Sequence, residues 1–430
     1  MNILVIGGGG REHALSWLIK KSCLTSRLFA IPGNAGISEI AECVEIPLDN
    51  FPAVGKFVNE NNIELVIVGP EKPLADGIVD FFDENLPKVK IFGPNKNCAK
   101  LESSKAYTRE LCAKKGIPHP HFNIFTSFNL ALKYIASLSF PVVIKADGLA
   151  GGKGTIIAHS LSDAKSALET FMIDKKFGVA GTKVIIEDFI EGKEASYMLI
   201  TDNESLLALP PVRDFKKLLD NNRGPNTGGM GAISPLPDFT IDDELETTKK
   251  IILPALSQLK SQRERFKGVL YAGLIKNRSG IKLLEYNVRF GDPEIQCLAP
   301  LIETDIVDII LKCIEGKLKE TQLKIAKKFS CCVCLVSAGY PDSYTTGYEI
   351  SGLDKILNET NVVVFHAGTK KAGEKVLTSG GRVLNVVGLA NTPAEAVKKA
   401  YEAISKIHFD NMFYRKDIRW NTKKSITKVL

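Results

Sequence analysis

The sequence predicts a multidomain protein that joins an α/β domain to α+β domains, on three observations. At 430 residues, the chain exceeds the length at which a single hydrophobic core keeps growing. Its first hundred residues alternate short β-rich runs with helical patterns, which is typical of a doubly wound parallel sheet. From Pro141 the pattern changes to consecutive strands with few helices between them, which indicates a mixed or antiparallel sheet.

The N-terminal elements follow from apolar runs and the residues that interrupt them. A helix is expected from about Arg11, between strands at NILVI, LFAI, LVIVG from Leu65 and VKIFG from Val89. A helical stretch from about Ala99 to Lys115 comes next, and the two prolines of IPHP then break regular structure. This order predicts a doubly wound parallel α/β domain at the start of the chain.

The middle of the chain consists mostly of strand patterns. We expect strands at VVIKA, TIIA, KVIIEDFI, EASYMLITD and SLLALP, with a helical pattern from Ser162 to Asp174. The segment GPNTGGMGA, from Gly224 to Ala232, predicts a glycine-rich loop, and a helix follows from about Asp242 to Arg265. The runs GVLYAGLIK and IKLLEYNVRF predict a hairpin.

The end of the chain predicts a smaller α+β domain. Its strands are expected near Cys331, Val362 and Val383, with a helix from Pro393 to Lys406. We therefore expect domain boundaries near 100 to 120 and near 320 to 328. This divides the chain into an N-terminal domain of 1–101, a central domain of 102–322 and a C-terminal domain of 323–430.

Composition excludes several classes of protein. Hydrophobic residues make up 44% and charged residues 24%, as in ordinary globular proteins and unlike disordered or fibrous ones. The net charge of +7 suits anionic small molecules at least as well as nucleic acid, and no basic run interleaved with aromatics forms a nucleic-acid stripe. Nine cysteines without a CxxC pair predict reduced, structural thiols. Because no secretory signal or membrane span is evident, we expect a cytoplasmic protein that binds neither nucleic acid nor membrane.

Three polar residues alternate within KLLEYNVRFGDPE, which runs from Lys282 to Glu294: Glu285, Asn287 and Arg289. On a strand, alternate side chains leave the same face of the sheet. Carboxylate and amide oxygens suit Mg²⁺, and the guanidinium can bind a phosphate or carboxylate with two parallel hydrogen bonds. A half-buried strand with a solvated polar face is the alternative, and this segment alone does not decide between them.

The segment GGGGREHA, from Gly7 to Ala14, follows the first strand and opens the first helix. Glycines there let the backbone approach a ligand, while amides at the helix N-terminus point toward an anion, so a phosphate site is predicted. A tight turn without a ligand is the alternative. Nicotinamide binding is disfavoured, because the third glycine of that fingerprint and the acidic residue after the second strand are missing.

Two lysines and a glycine loop suggest a nucleotide site. Lys145 ends the strand PVVIK and is followed by ADGLAGGKG, which contains Lys153, so a cation faces a flexible loop able to close over phosphates. Lys105 in LESSKAYTRE, taken alone, is better explained as a solvated helix lysine. The sequence has no Walker loop and no kinase triplets, which excludes those two nucleotide-binding classes.

VIIEDFIEGKEAS offers apolar walls for adenine and carboxylates for ribose hydroxyls. The residues concerned are Glu187, Phe189, Ile190 and Glu194. Taken alone, this segment is better explained as a plain strand, turn and strand with exposed acids.

Seven segments, taken in their order along the chain, closely resemble the phosphoribosylamine-glycine ligase family of the ATP-grasp superfamily. They are GGGGREHA, PGNAG, GPEKPLADG, IKADGLAGGKG, IIEDFIEGKEAS, GPNTGGMGA and EYNVRFGDPE. The resemblance covers essentially the whole chain and ends in FHAGTK, SGGRVLNVVG and YRKDI. It implies a central ATP-grasp fold with a mobile lid at about 122–192. It also implies ATP-dependent ligation of glycine to 5-phosphoribosylamine through glycyl phosphate, a step of purine biosynthesis, with Mg²⁺ or Mn²⁺. We expect a monomer or weak homodimer.

The resemblance also assigns roles residue by residue. It implies that Glu285 and Asn287 bind the metal, that Arg289 lies beside the transferring phosphate, and that Asp214 belongs to the catalytic set. We infer in addition that Asp292 receives glycine's ammonium. Nucleotide contacts are implied for Lys105, Lys145, Lys153, Glu187, Phe189, Ile190 and Glu194. Substrate contacts are implied for Gly9, Gly10, Arg11, Glu12, Asn34, Gly228 and Gly229.

One stretch departs from the family pattern. A polar run of the type Gln-Asp-His-Lys-Arg usually precedes GPNTGGMG, whereas this chain has PVRDFKK, in which Arg213 and Phe215 replace two polar residues. Hydrogen bonds made by those positions are therefore in doubt. The alternatives left open are an ATP-grasp carboxylase or ligase with another acceptor, and a nonenzymatic nucleotide-binding protein.

Overall fold

The computed structural model describes residues 1–151 and 154–420 of the chain. Its strands are β1 (Asn2–Gly7), β2 (Arg27–Pro32), β3 (Glu42–Cys43), β4 (Leu65–Val68), β5 (Lys90–Phe92), β6 (Phe122–Phe125), β7 (Val142–Ala146), β8 (Thr155–Ala158), β9 (Val184–Asp188), β10 (Lys193–Thr201), β11 (Leu206–Ala208), β12 (Arg213–Asp214), β13 (Lys217–Leu219), β14 (Arg223–Asn226), β15 (Gly231–Ser234), β16 (Gly268–Asn277), β17 (Gly280–Asn287), β18 (Phe329–Ser337), β19 (Val362–His366), β20 (Thr369–Ala372), β21 (Lys375–Thr378), β22 (Arg382–Ala390) and β23 (Met412–Phe413). Its α-helices are α1 (Gly10–Lys20), α2 (Phe51–Glu60), α3 (Glu71–Asp76), α4 (Ile78–Asn85), α5 (Lys96–Ser103), α6 (Lys105–Lys115), α7 (Phe128–Ile135), α8 (Leu161–Leu168), α9 (Ile241–Thr247), α10 (Leu253–Ser261), α11 (Glu294–Leu298), α12 (Ile306–Glu315) and α13 (Pro393–Ile404). Within the described ranges, no helix has the length and apolar character needed to cross a membrane.

The N-terminal part is a parallel sheet of order β3-β2-β1-β4-β5, as predicted. Alternate residues of β1 enter two different hydrophobic clusters, Leu4 and Ile6 one and Ile3 and Val5 the other, so both faces of the sheet are covered. This is why β1 is apolar without interruption. The glycine run after β1 opens α1 at the carboxyl edge of the sheet, where proteins of this class bind ligands.

Two predicted helices are interrupted in the structure. The helix expected from Ala99 to Lys115 is α5 and α6, which meet at Ser104, because the Ser104 side chain caps α6 by accepting a hydrogen bond from the Tyr107 amide at 3.1 Å. The helix expected from 242 to 265 is α9 and α10, joined by a π-helical stretch, Thr248–Ile252. Pro254 follows that stretch and lacks the amide hydrogen that the α-helical ladder requires.

Two antiparallel sheets form the middle of the chain. The first has the order β6-β9-β7-β8 and carries α7 and α8 over a hydrophobic cluster of its own. The second has the order β11-β10-β16-β17, and β16 with β17 forms the predicted hairpin. The functional cleft lies where these two sheets meet the N-terminal and C-terminal parts.

The C-terminal sheet is larger than the sequence indicated. The predicted strands near Cys331, Val362 and Val383 are β18, β19 and β22, and α13 packs against them. The sheet also takes in β12 and β15, which lie about a hundred residues earlier in the chain. The glycine-rich loop predicted from Gly224 to Ala232 is confined to residues 227–230, because its ends belong to β14 and β15. All nine cysteines are free thiols, and the three on β18 are buried, in accord with structural thiols.

A histidine pair joins the N-terminal and C-terminal parts. The His366 amide donates a hydrogen bond to Nδ1 of His13 at 2.8 Å, and the His13 ring packs edge-on against Phe365. Burial and the nearby His366 lower the pKa of His13 to about 3, and burial lowers the pKa of His366 to about 4. Both rings are therefore neutral at neutral pH.

We predict that stability falls as the pH is lowered from about 7.5 to about 5.5. The unfolded chain protonates His13 near its ordinary pKa of 6.5, whereas the folded chain resists protonation down to about 3. The loss from His13 at pH 5.5 should be about 1.4 kcal/mol. His13→Gln, which keeps an acceptor for the His366 amide, should reduce this pH dependence of the thermal midpoint by about half, because His366 contributes a similar loss. The exposed His408→Gln is the matched control, and an unchanged slope in His13→Gln would contradict the assignment.

Candidate active site

A cleft of about 1120 Å³ lies between the three parts of the fold. That volume is enough for a nucleotide together with small substrates. Its walls carry charged residues from every part, including Arg11, Lys105, Lys145, Glu285 and Arg382.

The strand β17 carries a bulge beside the predicted metal ligands. Leu283 pairs with Leu274 and Glu285 pairs with Gly273, so Leu284 is an extra residue without a partner on β16. The strand ends at Asn287, so Arg289 lies beyond it rather than on it as predicted. Its guanidinium nevertheless turns back, and Nη2 donates a hydrogen bond to Oδ1 of Asn287 at 3.2 Å. The three alternating residues therefore do meet at the cleft.

Glu285 is held ionised by the cations around it. Its Oε1 lies 3.4 Å from Nζ of Lys216, and a third of its side chain is exposed to the cleft. Burial alone would raise the pKa of Glu285, but Lys216, Lys145 and Lys105 outweigh it and lower the pKa to about 2. An ionised carboxylate beside the amide oxygen of Asn287 is a donor pair that fits a hard divalent cation.

Glu187 anchors Lys145, which is predicted to contact the nucleotide. Its carboxylate accepts from Nε of Arg109 at 2.6 Å and pairs with Nζ of Lys145 at 2.8 Å. Both cations also donate to the carbonyl of Leu284, Arg109 at 2.7 Å and Lys145 at 3.0 Å. Burial lowers the pKa of Lys145 against the opposing effect of Glu187. Glu187, predicted as a nucleotide contact, thus has its carboxylate committed to fixing Lys145 and Arg109.

The other predicted nucleotide residues surround the same cleft. Lys105 begins α6, and its Nζ donates to the carbonyl of Gly148, in the loop after β7, at 2.9 Å. Phe189, Ile190 and Glu194 line the cleft beside Glu187. Lys153 lies outside the described residues.

Arg289 is surrounded by two carboxylates that the sequence reasoning missed. Nη2 pairs with Glu102 at 2.9 Å, and Nε pairs with Glu71 at 3.3 Å. The second oxygen of Glu102 accepts from the amide of Val288 at 2.8 Å, so Glu102 contacts both residues that follow β17. Burial works against the charge of Arg289, but Glu102 and Glu71 raise its pKa well above the ordinary value. Glu102 lies in the segment LESSKAYTRE and Glu71 in GPEKPLADG, but neither segment indicates a contact with Arg289.

The predicted phosphoribosylamine residues build the turn before α1. The carboxylate of Glu12 accepts from the Gly9 amide at 2.7 Å and from Nε of Arg11 at 2.6 Å. The Asn34 amide group donates to the carbonyls of Gly8 and His366, and its oxygen accepts from two backbone amides.

The side chains of Glu12 and Asn34 are thus engaged within the protein and shape the turn. Gly10 is required by close packing, since a Cβ there would lie 2.4 Å from Nδ2 of Asn385. Five residues are predicted to contact phosphoribosylamine, and the structure describes all five. Arg11 is the one among them that lines the cleft.

The glycine-rich loop is fixed from the C-terminal sheet. The Gly228 amide donates to the Tyr340 hydroxyl at 2.9 Å, and Nη1 of Arg382 donates to the Gly228 carbonyl at 2.7 Å. Nη2 of Arg382 pairs with Oδ2 of Asp292 at 2.9 Å. Gly229 has a φ of +115°, and a Cβ there would lie 2.4 Å from Pro293. The loop glycines predicted to contact substrate therefore lie directly beside Asp292.

Models of one family match nearly the whole chain. The N, ATP-grasp and C domains of phosphoribosylglycinamide synthetase match residues 1–102, 103–295 and 330–421. The chain belongs to this family.

Relatives of the same family are similar along their full length. Phosphoribosylamine-glycine ligase of Caldanaerobacter subterraneus subsp. tengcongensis is 43% identical over 97% of this chain and 99% of the relative. The enzyme of that name from Escherichia coli K12 is 42% identical over 98% of both chains. The crystal structure of phosphoribosylamine-glycine ligase from Thermotoga maritima superposes with a TM-score of 0.83 at 31% identity, covering 97% of this chain and all of that one. A biotin carboxylase from Campylobacter jejuni shares the fold, with a TM-score of 0.72 at 14% identity over 96% of this chain and 92% of that one.

We predict that Glu102→Gln lowers kcat by tenfold or more while the protein stays folded, with a thermal midpoint only a few degrees lower. The amide keeps the shape of the side chain but removes the charge that orients Arg289, and a charge-assisted hydrogen bond contributes about 1.5–3 kcal/mol. Steady-state kinetics should show kcat falling with the KM for ATP nearly unchanged. Glu110→Gln, an exposed position on α6, is the matched control. A loss that merely follows the folded fraction would assign Glu102 a purely structural role.

Proposed function

We propose that the cleft binds ATP, glycine and 5-phosphoribosylamine and joins the last two through an amide bond, in purine biosynthesis. The observation that carries the proposal is the convergence of Glu285, Asn287 and Arg289 with Lys105 and Lys145 at one cleft, in a chain of the phosphoribosylglycinamide synthetase family. Family membership makes the protein an ATP-dependent ligase.

Cations on two sides of the cleft are suited to the nucleotide. Lys105 and Lys145 would contact the phosphates, while the segment from Glu187 to Glu194 would line the adenine and ribose. Glu285 and Asn287 would hold Mg²⁺ or Mn²⁺, which screens the phosphate charge when bound. These roles are supported by the lining of the cleft and by the ionised state of Glu285.

The reaction brings two anions together before it makes the amide. A carboxylate oxygen of glycine bonds to the γ-phosphorus, and the bond to the bridging oxygen of ADP breaks. The amine of 5-phosphoribosylamine then attacks the acyl carbon, and phosphate leaves. An unscreened like-charge contact at about 4 Å costs roughly 4 kcal/mol at an effective dielectric of 20. Arg289 is placed to offset that repulsion. The amides of Gly228 and Gly229 already donate to the Tyr340 and Thr227 hydroxyls, so these two glycines would shape the substrate site through their backbone.

The second substrate is assigned to the turn before α1. Its phosphate would meet the amides at the start of that helix, with Arg11 as the cation on the cleft side. Gly9, Gly10, Glu12 and Asn34 would shape this site.

The proposal includes three domains, 1–101, 102–322 and 323–430, and a lid at about 122–192 that moves over the nucleotide. Its separate hydrophobic cluster supports the lid as a unit. We place the enzyme in the cytoplasm as a monomer or weak homodimer. The free thiols suit a reducing compartment.

Purified protein with MgATP should release ADP when glycine and freshly generated phosphoribosylamine are both present, and should form glycinamide ribonucleotide in equal amount. Omitting either substrate should abolish net turnover. Coupled ADP detection with mass spectrometry of the product measures both. ADP release with bicarbonate and biotin instead would select the carboxylase alternative and refute the ligase.

We predict that Glu285→Ala lowers kcat by about a hundredfold or more and raises the Mg²⁺ concentration for half-maximal activity. Its carboxylate is the charged member of the proposed metal pair, and the loss of such a ligand typically removes several kcal/mol. Glu303→Ala, an exposed position outside the cleft, is the control. A variant whose activity merely tracks its folded fraction, with unchanged Mg²⁺ dependence, would refute the role.

A further inference from the structure

Arg415 lies in YRKDI, a segment near the end of the chain to which the proposed function gives no role. Its side chain is 1% exposed and is among the largest fully buried side chains of the structure. Nε and Nη2 donate to Oδ1 and Oδ2 of Asp417, at 2.7 and 2.8 Å. Two parallel hydrogen bonds to one carboxylate fix the plane of the guanidinium.

The same guanidinium also reaches the hairpin of β13 and β14. Nη1 donates to the carbonyl of Lys217 at 3.0 Å, and Nη2 donates to Oδ1 of Asn222 at 3.1 Å. Alongside, the Asn221 amide donates to Oδ2 of Asp417 at 2.8 Å. The hairpin is a two-stranded sheet of its own, and such a sheet is marginally stable without outside contacts. Arg415 and Asp417 therefore clamp the start of β13 and the turn before β14.

Phe215 is one of the two positions at which this chain departs from the family pattern. The guanidinium of Arg415 lies over its ring, 5.1 Å from the centroid. A cation is attracted to an aromatic face without any hydrogen bond. The ring face of Phe215 thus makes this contact, and an imidazole in its place would offer a ring face as well.

Lys216 lies between two residues that Arg415 contacts. Its carbonyl accepts from the amide and the hydroxyl of Thr227, at 2.8 and 2.9 Å. The backbone at this position is therefore held by the glycine-rich loop on one side and by the C-terminal segment on the other. Its side chain lines the cleft, where Nζ lies 3.4 Å from Oε1 of Glu285.

We propose that Arg415 is a positioning residue that acts through Lys216, which rests on the proposed function. Lysine carries a point charge on a flexible stem, so the placement of that charge depends on the backbone from which the stem extends. By fixing both neighbours of Lys216, Arg415 holds its ammonium group beside Glu285, in the part of the cleft assigned to the phosphates of ATP. Arg415 is not among the described residues that line the cleft, so its effect on the reaction passes through those that do.

A purely structural role is the competing explanation. Arg415 also ties the end of the chain to α13, since the Tyr401 hydroxyl donates to its carbonyl at 2.8 Å. In that case Arg415 stabilises the fold without affecting the cleft. The two explanations differ in whether the effects of Arg415 and Lys216 on the reaction are independent of each other.

The test is a double-mutant cycle in the full-length enzyme, measured as kcat/KM for ATP with Mg²⁺, glycine and phosphoribosylamine. Arg415→Lys keeps the charge but removes the planar fork, and should lower this value at least fivefold. Lys216→Met should lower it at least fiftyfold. Because Arg415 acts through Lys216, the double variant should lie within twofold of Lys216→Met alone. Arg278→Lys, at an exposed position in the turn between β16 and β17, is the matched control.

The ring contact has its own pair of variants. Phe215→Leu removes the aromatic face and should reproduce the loss seen in Arg415→Lys. Phe215→Tyr keeps that face and should retain at least half of the wild-type kcat/KM. If Arg415→Lys does not fold, as judged by its thermal midpoint, the cycle of Phe215→Leu with Lys216→Met decides by the same criterion.

Two kinetic outcomes refute the positioning role. One is an unchanged kcat/KM in Arg415→Lys, and the other is a double variant at least fivefold worse than Lys216→Met, as independent effects would give.

Hydrogen exchange tests the clamp without any substrate. In Arg415→Lys, the amides of residues 217–226 should exchange at least tenfold faster, while those of β17 keep their rates. Unchanged exchange in the hairpin overturns the clamp. Wild-type enzyme that does not ligate glycine refutes the proposed function instead, and it leaves the exchange result standing.

Discussion

The site depends on one buried ionic contact, in which Glu187 holds Arg109 and Lys145. The three residues come from β9, α6 and β7, and both cations also bind the Leu284 carbonyl at the bulge of β17. The contact therefore joins the β6-β9-β7-β8 sheet, a helix and the strand β17 at one point. Removing one member of such a buried group typically costs about 3–5 kcal/mol, because an unpaired charge remains. The bulge makes the arrangement possible, since an extra residue leaves its carbonyl outside the strand ladder.

Most charged side chains around the cleft are likewise paired with groups of opposite charge. Lysines hold Glu285 ionised, Glu71 and Glu102 surround Arg289, and Asp292 pairs with Arg382. Each of these groups is matched within the protein. Among the described residues, the buried Oδ1 of Asp214 has no such partner, and this side chain lines the same cleft. An enzyme that joins charged substrates is expected to leave some charges unmatched until those substrates bind.

The C-terminal part belongs to the active site through its sheet. β15 follows the glycine-rich loop and pairs with β18, and β12 joins the same sheet through β15. Arg382 at the start of β22 and Tyr340 after β18 then reach the Gly228 backbone. The loop is thus positioned by strands more than a hundred residues away. Arg382 was visible in SGGRVLNVVG, but its contact with the loop could not be read from the sequence.

The sequence by itself determined the fold class, the order of most elements and the family, and it predicted several of the residues that line the cleft, among them Glu285, Asn287 and Arg289. These depend on local patterns: periodicity, glycine turns and the spacing of Glu285, Asn287 and Arg289. The assigned roles of those site residues stay predictions.

Tertiary structure alone decided which charges are matched. It committed Glu187 to two cations, turned Arg289 back toward Asn287 from beyond the strand end, and engaged the side chains of Glu12 and Asn34 within the turn. It also left Oδ1 of Asp214 buried without a hydrogen-bond partner in the part of the chain that the structure describes. Ion pairs and burial join residues far apart in the chain, and the sequence pattern carries no record of those distances.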